Sequence, residues 1–305
     1  MNDAASLETG AGSVTDSLWR RLRWRLLSLF SDDAVIDETV RRVKHGTGSA
    51  LLRDLFQRLP GKLAASLLEH SLSVRQLDYE AKEIFLVVSS QETVMRLKSV
   101  SKEPFTVEWI ERSIRPGEVF YDVGANVGPY SLVAAKARGA RVLAFEPAGP
   151  NYHDLCRNIA LNRCDDSISP FPIALWNETG TVPFAYRALQ TGVAMHSMGA
   201  DLEGAEFRQP VLAYRLDDVI ATFGLPVPAH AKIDVDGPEL KVLQGASATL
   251  RDPAWRSILL EIDSEQGADN EEAILSLLGG CGFRPEATYD RGTGAPVSRA
   301  FVRGA

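Results

Sequence analysis

The chain has 305 residues, of which 45% are hydrophobic and 24% charged, a composition typical of a globular protein with one large α/β domain and a small appendage. The net charge of −7 argues against a broad nucleic-acid-binding surface, because such proteins carry a basic footprint. Three cysteines without CxxC spacing argue against a structural zinc site or a disulfide framework and predict reduced thiols.

The first segment, residues 1–13, is small and polar and is predicted to be disordered. It lacks the basic stretch followed by an apolar run that a secretory signal needs. No window of about 18 apolar residues occurs in the chain, so no membrane-spanning helix is predicted. We therefore expect a cytoplasmic protein.

Helical periodicity dominates from Val14 to about Ser71, which predicts a helical extension over residues 1–80. Leucines at positions 18, 22, 26 and 29 form one apolar face, and Pro60 and Gly61 break the pattern further along. The basic, amphipathic stretch 18–27 also fits a membrane surface. Acidic residues close behind it favour docking on the rest of the protein or on a second copy, which would give a homodimer.

The pattern changes near Ile84, and residues 81–305 are predicted to form one domain. Strands are predicted over residues 84–88, 94–97, 119–123, 141–145, 169–174, 181–186, 231–235, 257–262, 283–289 and 298–302. Helices are predicted over residues 104–113, 130–137, 152–162, 238–246 and 270–279. Strands that alternate with helices imply a mainly parallel sheet covered on both faces.

The segment Val119–Ser131 carries the strongest ligand-binding signal. An apolar strand ends in a loop where Gly124 and Gly128 let the backbone turn tightly and approach a ligand. Pro129 stands where the next helix should begin, a position that suits proline. In an open α/β sheet this loop borders the crevice in which ligands usually bind. We call residues 124–128 the donor loop, after the group-donating ligand that its sequence favours.

Two acidic residues indicate which ligand the donor loop takes. Glu146 ends the next strand, where a carboxylate accepts hydrogen bonds from both hydroxyls of a ribose. A dinucleotide loop needs the pattern G-x-G-x-x-G, which Asn126 interrupts. Asp122 would repel a pyrophosphate but attract the positively charged amino-acid end of a sulfonium donor. The loop therefore favours S-adenosylmethionine over a nicotinamide dinucleotide.

Several motifs in this order resemble the FkbM family of methyltransferases, from about Glu103 to the C-terminus. They are Tyr121–Gly128, Ala144–Pro147, Leu155–Asn162, Arg215–Asp218, Lys232–Ala246 and Leu259–Ile262. The resemblance implies an α/β class I methyltransferase (Rossmann-like) fold, with a doubly wound, mainly parallel sheet and an antiparallel C-terminal strand. It also implies O-methylation of hydroxyls on sugars or secondary metabolites.

The chain departs from the family pattern at three positions: Asp236 stands where the family usually has Glu, Pro129 where Tyr or Phe is frequent, and Asp263 where His is frequent. The aspartate side chain at position 236 is one methylene shorter than glutamate, so its carboxylate reaches less far. The aspartate at position 263 affects either acceptor binding or the identity of the base. Residues and resemblance together predict a donor site formed by Tyr121, Asp122, Gly124, Ala125, Asn126, Gly128, Tyr130, Ser131, Glu146, Pro147, Ala174 and Asp234.

The predicted catalytic residues lie in the segment that begins at Lys232. Asp234 falls at or near the end of a strand beside the donor strand, and Asp236 and Glu239 follow in the loop and the first helical turn. Methyl transfer requires an aligned acceptor oxygen, and an alcohol must also lose its proton to a base. Asp234 is the predicted base, with Lys232 tuning its charge. The three acids equally suit Mg²⁺, which prefers oxygen ligands, so metal dependence stays open.

The predicted function is S-adenosylmethionine-dependent O-methylation of a hydroxyl on a sugar, glycan or secondary metabolite. The partner is then a small-molecule or glycan acceptor rather than a nucleic acid. A second hypothesis is a noncatalytic donor-binding module that recruits a protein partner through its N-terminal helices. The acceptor itself has no signature in the sequence, because acceptor-binding loops vary most within such folds.

Overall fold

The computed structural model describes residues 60–63, 65, 73–199, 203–262, 268–290 and 297–304. The chain divides into two units, Met1–Ser71 and Leu72–Ala305, and the second unit contains every strand that the described residues form. Predictions for residues 1–59, for most of the helix at 63–70 and for Asp263 lie outside the described residues. Residues 61–63 and 65 are helical, directly after Pro60.

A hairpin and three short helices precede the main sheet. The elements are β1 (Ser73–Gln76), β2 (Phe85–Val88), α1 (Gln91–Arg96), α2 (Ser99–Lys102) and α3 (Pro104–Ser113). Strand β1 pairs with β2 antiparallel. The segment 94–97, predicted as a strand, lies in and just after helix α1, because Ser90 and Thr93 form a reciprocal capping box that starts the helix.

The rest of the unit alternates strands and helices, as the sequence predicts. The elements are β3 (Val119–Val123), α4 (Pro129–Arg138), β4 (Arg141–Phe145), α5 (Gly149–Leu161), β5 (Ile168–Phe171), β6 (Ala174–Leu175), β7 (Gly180–Tyr186), β8 (Ser197–Met198), β9 (Phe207–Tyr214), α6 (Leu216–Phe223), β10 (His230–Ile233), α7 (Glu239–Gly245), a 3₁₀ turn (Thr249–Arg251), β11 (Ser257–Ile262), α8 (Ala268–Gly280), β12 (Phe283–Tyr289) and β13 (Val297–Arg303).

The main sheet has seven strands in the order β12-β13-β11-β10-β3-β4-β5. Strands β11, β10, β3, β4 and β5 pair in parallel, and β13 is antiparallel to both of its neighbours. The order reverses around β3, which places the loops after β3 and β10 at the switch point where α/β sheets bind ligands. This arrangement confirms the predicted Rossmann-like class I methyltransferase fold with its antiparallel C-terminal strand.

Buried side chains cover both faces of the main sheet. Phe120 and Val142 belong to the cluster on one face, and Tyr121 and Leu143, their chain neighbours, belong to the cluster on the other. All four are at most 1% exposed. Side chains that alternate between two covered faces explain why these strands read as continuous apolar runs in the sequence.

A second, four-stranded sheet in the order β6-β9-β7-β8 is inserted between β5 and α6. The single strand predicted over 169–174 is split: β5 belongs to the main sheet, and Ala174 begins β6 in the small sheet. Strand β9 has no counterpart among the predicted strands, because its first four residues are exposed and show no alternation. Trp176, Phe184 and Tyr186 form a small core of their own there.

Among the described residues, every helix is too short or too polar to cross a bilayer.

Candidate active site

A cavity of about 790 Å³ opens at the carboxyl ends of β3, β4 and β10. Its volume falls within the range of about 300–1,000 Å³ typical of small-molecule sites. Its walls come from the donor loop, the end of β4, the residues after β10 and the small sheet. Its charged or ionisable lining residues are Arg96, Lys102, Glu103, Glu146, Arg187, His196, Asp234, Asp236, Glu239 and Glu261.

The donor loop is shaped by glycines that no other residue can replace without strain. Gly124 has φ +80°, and a Cβ there would stand 1.8 Å from the carbonyl oxygen of Asp234. Gly128 has φ +86°, and its Cβ would stand 2.5 Å from Leu155. Asn126 also takes a left-handed conformation, with φ 51°, which asparagine tolerates better than most residues. The loop therefore lies directly against the end of β10.

Glu146 lies under the donor loop and is 5% exposed. One carboxylate oxygen accepts from the backbone N–H of Asn126 and the other from that of Ala148, each at 2.8 Å. Burial raises the pKa of Glu146 to about 7, although these hydrogen bonds oppose the shift. The carboxylate is held rigidly at the cavity wall, at the end of β4, as the sequence predicts.

Asp122 and Lys232 form a buried layer beneath the cavity. Asp122 is fully buried and accepts a hydrogen bond from the Ser131 hydroxyl at 2.6 Å, and its other oxygen lies 4.0 Å from the Lys232 ammonium. Burial raises the pKa of Asp122, and the Lys232 ammonium and the Ser131 hydroxyl oppose this rise. Lys232 also lies 5.1 Å from the centre of the Tyr130 ring. Asp122, Tyr130, Ser131 and Lys232 thus support the donor loop from below and do not line the cavity.

Asp234 lies between this buried layer and the cavity, which it lines. Its carboxylate accepts a hydrogen bond from Lys232 at 2.8 Å, and a further hydrogen bond links it to Glu261. Burial would raise the pKa of Asp234, but the Lys232 ammonium and these hydrogen bonds outweigh burial and lower it. Burial disfavours the charge on Lys232, but Asp234, Asp122 and Glu103 more than offset it and raise the pKa of Lys232. The two groups therefore form an ion pair in which Lys232 is buried and Asp234 is partly buried.

The structure does not bring together the three acids predicted as magnesium ligands. Asp236, with φ 55°, accepts from the Met195 N–H at 2.6 Å, and Glu239 turns back to accept from the Gly237 N–H at 2.9 Å. Among the described residues, the carboxylates that approach one another within 4.8 Å are Glu103, Asp234 and Glu261. The turn after β10 directs the second and third predicted acids elsewhere.

Comparison with known proteins agrees with this geometry. The family model described as the methyltransferase FkbM domain matches residues 122–285, more than half of the chain. The chain belongs to the FkbM methyltransferase family. The observed fold and this membership make it an S-adenosylmethionine-dependent methyltransferase, as the sequence predicts.

Three relatives illustrate the FkbM family. The methyltransferase sdnD of Sordaria araneosa is 29% identical, covering 67% of this chain and 87% of that protein. The 31-O-demethyl-FK506 methyltransferase FkbM of Streptomyces tacrolimicus is 30% identical, covering 58% and 76%. The hexuronic acid methyltransferase AglP of Haloferax volcanii is 24% identical, covering 62% and 74%. Among solved structures, magnesium protoporphyrin IX methyltransferase of Synechocystis with bound S-adenosylmethionine has a TM-score of 0.44 at 14% identity, covering 71% and 85%.

The charges of the cavity suit the donor that FkbM methyltransferases use. S-adenosylmethionine carries a sulfonium and an ammonium, and carboxylates of Glu146, Asp234, Asp236 and Glu239 line the cavity. Oε2 of Glu239 is buried without a hydrogen-bond partner. Burial raises the pKa of Glu239 to about 7, although backbone hydrogen bonds oppose the shift. Such an oxygen in a cavity is available to accept a hydrogen bond from a bound ligand.

The segment 187–196 between β7 and β8, which we call the strap, crosses this cavity. Side-chain amides of Asn126 and Asn151 each donate to the Val193 carbonyl at 3.0 Å, and Asn151 accepts from the Gly192 N–H at 2.7 Å. The Arg96 guanidinium donates to the Gly192 carbonyl at 2.9 and 3.0 Å. The strap is thereby fastened to the donor loop, to α5 and to α1.

Of the predicted site residues, Gly124, Asn126, Glu146, Pro147, Ala174, Asp234, Asp236 and Glu239 line the cavity. Tyr121, Ala125 and Gly128 shape the strand and the loop behind it, as the buried layer does, without lining it. Sequence reasoning missed the strap and three residues that precede the matched family segment: Arg96, Lys102 and Glu103. No local sequence pattern identifies these three residues, because they reach the cavity only through the packing of α1 to α3 on the sheet.

Proposed function

We propose that the protein transfers the methyl group of S-adenosylmethionine to a hydroxyl of a sugar, glycan or secondary metabolite. The observation that carries this proposal is the grouping of Glu103, Asp234 and Glu261 in the cavity, directly beside the donor loop. Carboxylates accept hydrogen bonds from hydroxyls and take up a hydroxyl proton. Two FkbM relatives support this proposal: the name of one states a hexuronic acid, and the name of the other states 31-O-demethyl-FK506, which indicates methylation of an oxygen.

In this proposal the donor loop and Glu146 hold the donor. The Glu146 carboxylate accepts from the two ribose hydroxyls, in addition to the two backbone N–H groups that fix its position. Asp234 and Glu239 compensate the positive charge of the donor. Ala174, the first residue of β6, borders the adenine end of the cavity together with Ile173 and Leu175. When bound, the donor supplies the activated methyl group, and the protein aligns the acceptor oxygen with it.

A direct experiment tests transfer. The purified full-length chain is incubated with methyl-labelled S-adenosylmethionine and a panel of hydroxyl acceptors, for example methyl glycosides of glucuronic acid, glucose and rhamnose. We expect label in a methyl ether of at least one glycoside, located by mass spectrometry. Donor binding without transfer to any hydroxyl, together with stable capture of a defined protein, would favour the noncatalytic module instead.

A further inference from the structure

Arg96, the last residue of α1, lines the cavity and uses only one edge of its guanidinium for hydrogen bonds. Nε and Nη2 form this edge, and both donate to the Gly192 carbonyl of the strap, at 3.0 and 2.9 Å. The other edge consists of Nη1 and the second N–H of Nη2. It donates to no described residue, and no described carboxylate forms an ion pair with Arg96. Such an edge presents two parallel N–H groups, the geometry that matches a carboxylate.

The packing of the strap on α1 fixes the guanidinium in this orientation. Gly192 has φ +85°, and a Cβ there would stand 2.9 Å from the backbone nitrogen of Thr93, in the first turn of α1. The Ser90 hydroxyl, at the beginning of that helix, donates to the Thr191 carbonyl at 2.5 Å. Arg96 is therefore positioned by the backbone of the strap rather than by an acid.

Arg96 also lies close to the carboxylates of the cavity. Burial raises the pKa of Glu146 and of Asp236, and the Arg96 charge is among the groups that oppose both rises. Burial would also raise the pKa of Asp234, and Arg96 adds to the stronger effect of Lys232 that lowers it. A single charge acts on these three carboxylates only from a position near all of them, so the guanidinium lies near the ends of β4 and β10.

The other basic groups of the cavity differ from Arg96, which is half-buried. The Lys102 ammonium lies 3.3 Å from Oε1 of Glu103, and its side chain is 57% exposed. Arg187 is exposed as well, and water screens the charge of exposed groups. Burial lowers the pKa of His196 to about 4, so this side chain is neutral at pH 7. Among the described cavity residues, Arg96 is therefore the cation that combines partial burial with an unpaired charge.

We propose that Arg96 binds the α-carboxylate of S-adenosylmethionine. The methionine end of this donor carries both an ammonium and a carboxylate. The acids that line the cavity suit the ammonium and repel the carboxylate, so the carboxylate needs a cation. This inference rests on the donor placement in the proposed function and is independent of the acceptor. Arg96 precedes the matched segment 122–285, so the family model does not cover this contact.

Because Arg96 also holds the strap, the experiment separates these two contacts. S-adenosylhomocysteine and its decarboxylated analogue share the ammonium and differ in the carboxylate. Calorimetry on the full-length chain measures the affinity of each protein for both ligands, and thus its preference for S-adenosylhomocysteine. Arg96→Gln should lower this preference by about tenfold or more, the loss expected for one charged hydrogen bond. Arg96→Lys keeps the charge and should keep part of the preference.

Asn151→Ala is the matched control, because it also removes hydrogen bonds to the strap but changes no charge. It should weaken both ligands by the same factor and leave the preference unchanged. An unchanged preference in Arg96→Gln, or a loss of preference in Arg187→Gln instead, would overturn the proposal, as would equal binding of both ligands by the wild type. A wild type that binds neither ligand would overturn the donor site and this proposal together. None of these outcomes depends on transfer to a hydroxyl, so they are distinct from failure of the hydroxyl panel.

Discussion

At the scale of single residues, the surroundings of each carboxylate decide its chemistry more than the residue type does. Glu146 and Asp234 both end a strand beside the donor loop, yet burial raises the pKa of the first to about 7 while Lys232 outweighs burial and lowers the pKa of the second. Glu146 accepts from backbone N–H groups, whereas Asp234 pairs with Lys232, two residues before it. Two carboxylates at strand ends beside the same loop thus differ in the direction of their pKa shifts.

The raised pKa of Glu146 predicts that donor binding depends on pH. Ribose hydroxyls favour the charged carboxylate and lower its pKa on binding, so binding releases a proton and affinity rises as pH rises through 7. We expect S-adenosylhomocysteine to bind about tenfold more weakly at pH 6 than at pH 8, measured by calorimetry. Glu146→Gln should weaken binding at pH 8 and flatten this dependence.

Glu239 provides the comparison for this prediction, because burial also raises its pKa to about 7. Since Glu239 is proposed to compensate the donor's positive charge, Glu239→Gln should reduce the pH dependence but leave the part that Glu146 causes in place. If instead the dependence survives Glu146→Gln and disappears in Glu239→Gln, Glu239 is the titrating ligand and Glu146 does not hold the ribose.

At the scale of elements, the inserted sheet and its strap close the donor side of the cavity. The main sheet supplies the donor loop, and the insertion after β5 supplies Val193, Met195 and His196 to the opposite wall. Asn151 on α5 makes two hydrogen bonds to the strap backbone, and Asn126 of the donor loop makes one. The strap is therefore coupled to the donor loop and to α5 through the Val193 carbonyl, to which both asparagines donate. We predict that the strap gates entry and release of the donor.

Loosening the strap should speed donor release. Asn151→Ala removes two buried hydrogen bonds, each contributing about 1 kcal/mol, so dissociation of S-adenosylhomocysteine should become about tenfold faster or more. Rapid mixing measures this rate. Gln190→Ala, an exposed position on the strap that does not line the cavity, should leave it unchanged. Equal dissociation rates in Asn151→Ala and wild type would show that the strap does not gate the site.

At the scale of the whole molecule, the segment before the main sheet is part of the catalytic unit. Asn158 on α5 and Asn162, the residue directly after that helix, bond the backbone of β2 at Val87 and Phe85, so the hairpin is docked on the sheet's helical layer. The helices that follow carry Arg96 and Glu103 to the cavity. We propose that residues 1–71, for which the sequence predicts helices, serve association through the leucines at positions 18, 22, 26 and 29 and form a homodimer.

Two truncations separate these roles. Removing residues 1–71 should preserve donor affinity, measured by calorimetry, and convert the dimer to a monomer in light scattering. Removing residues 1–103 should lower the thermal unfolding midpoint, because the β2-facing amides of α5 lose their partners. A monomeric full-length protein that sediments with anionic liposomes would instead assign the extension to a membrane surface.

The sequence by itself determined the elements whose signals are local. Strands β3, β4, β11 and β12 and helix α3 begin and end at the predicted residues, because apolar runs between glycine, proline and acidic residues mark their ends. The donor loop and Glu146 follow from the same short-range pattern, since both come directly after a strand. The family resemblance added the doubly wound sheet and its antiparallel C-terminal strand.

Only the tertiary structure decided which distant residues share the cavity. The sequence predicts Asp234 beside Asp236 and Glu239, its chain neighbours, but it meets Glu103 and Glu261, which arrive from helices and strands elsewhere in the chain. The strap's path was equally hidden, whereas the contact of Lys232 with Asp234, two residues further along the chain, agrees with the predicted tuning of the Asp234 charge. Periodicity and turn residues report the conformation of a few neighbouring residues, whereas contacts between segments depend on how whole elements pack, and that packing sets the charge of each carboxylate.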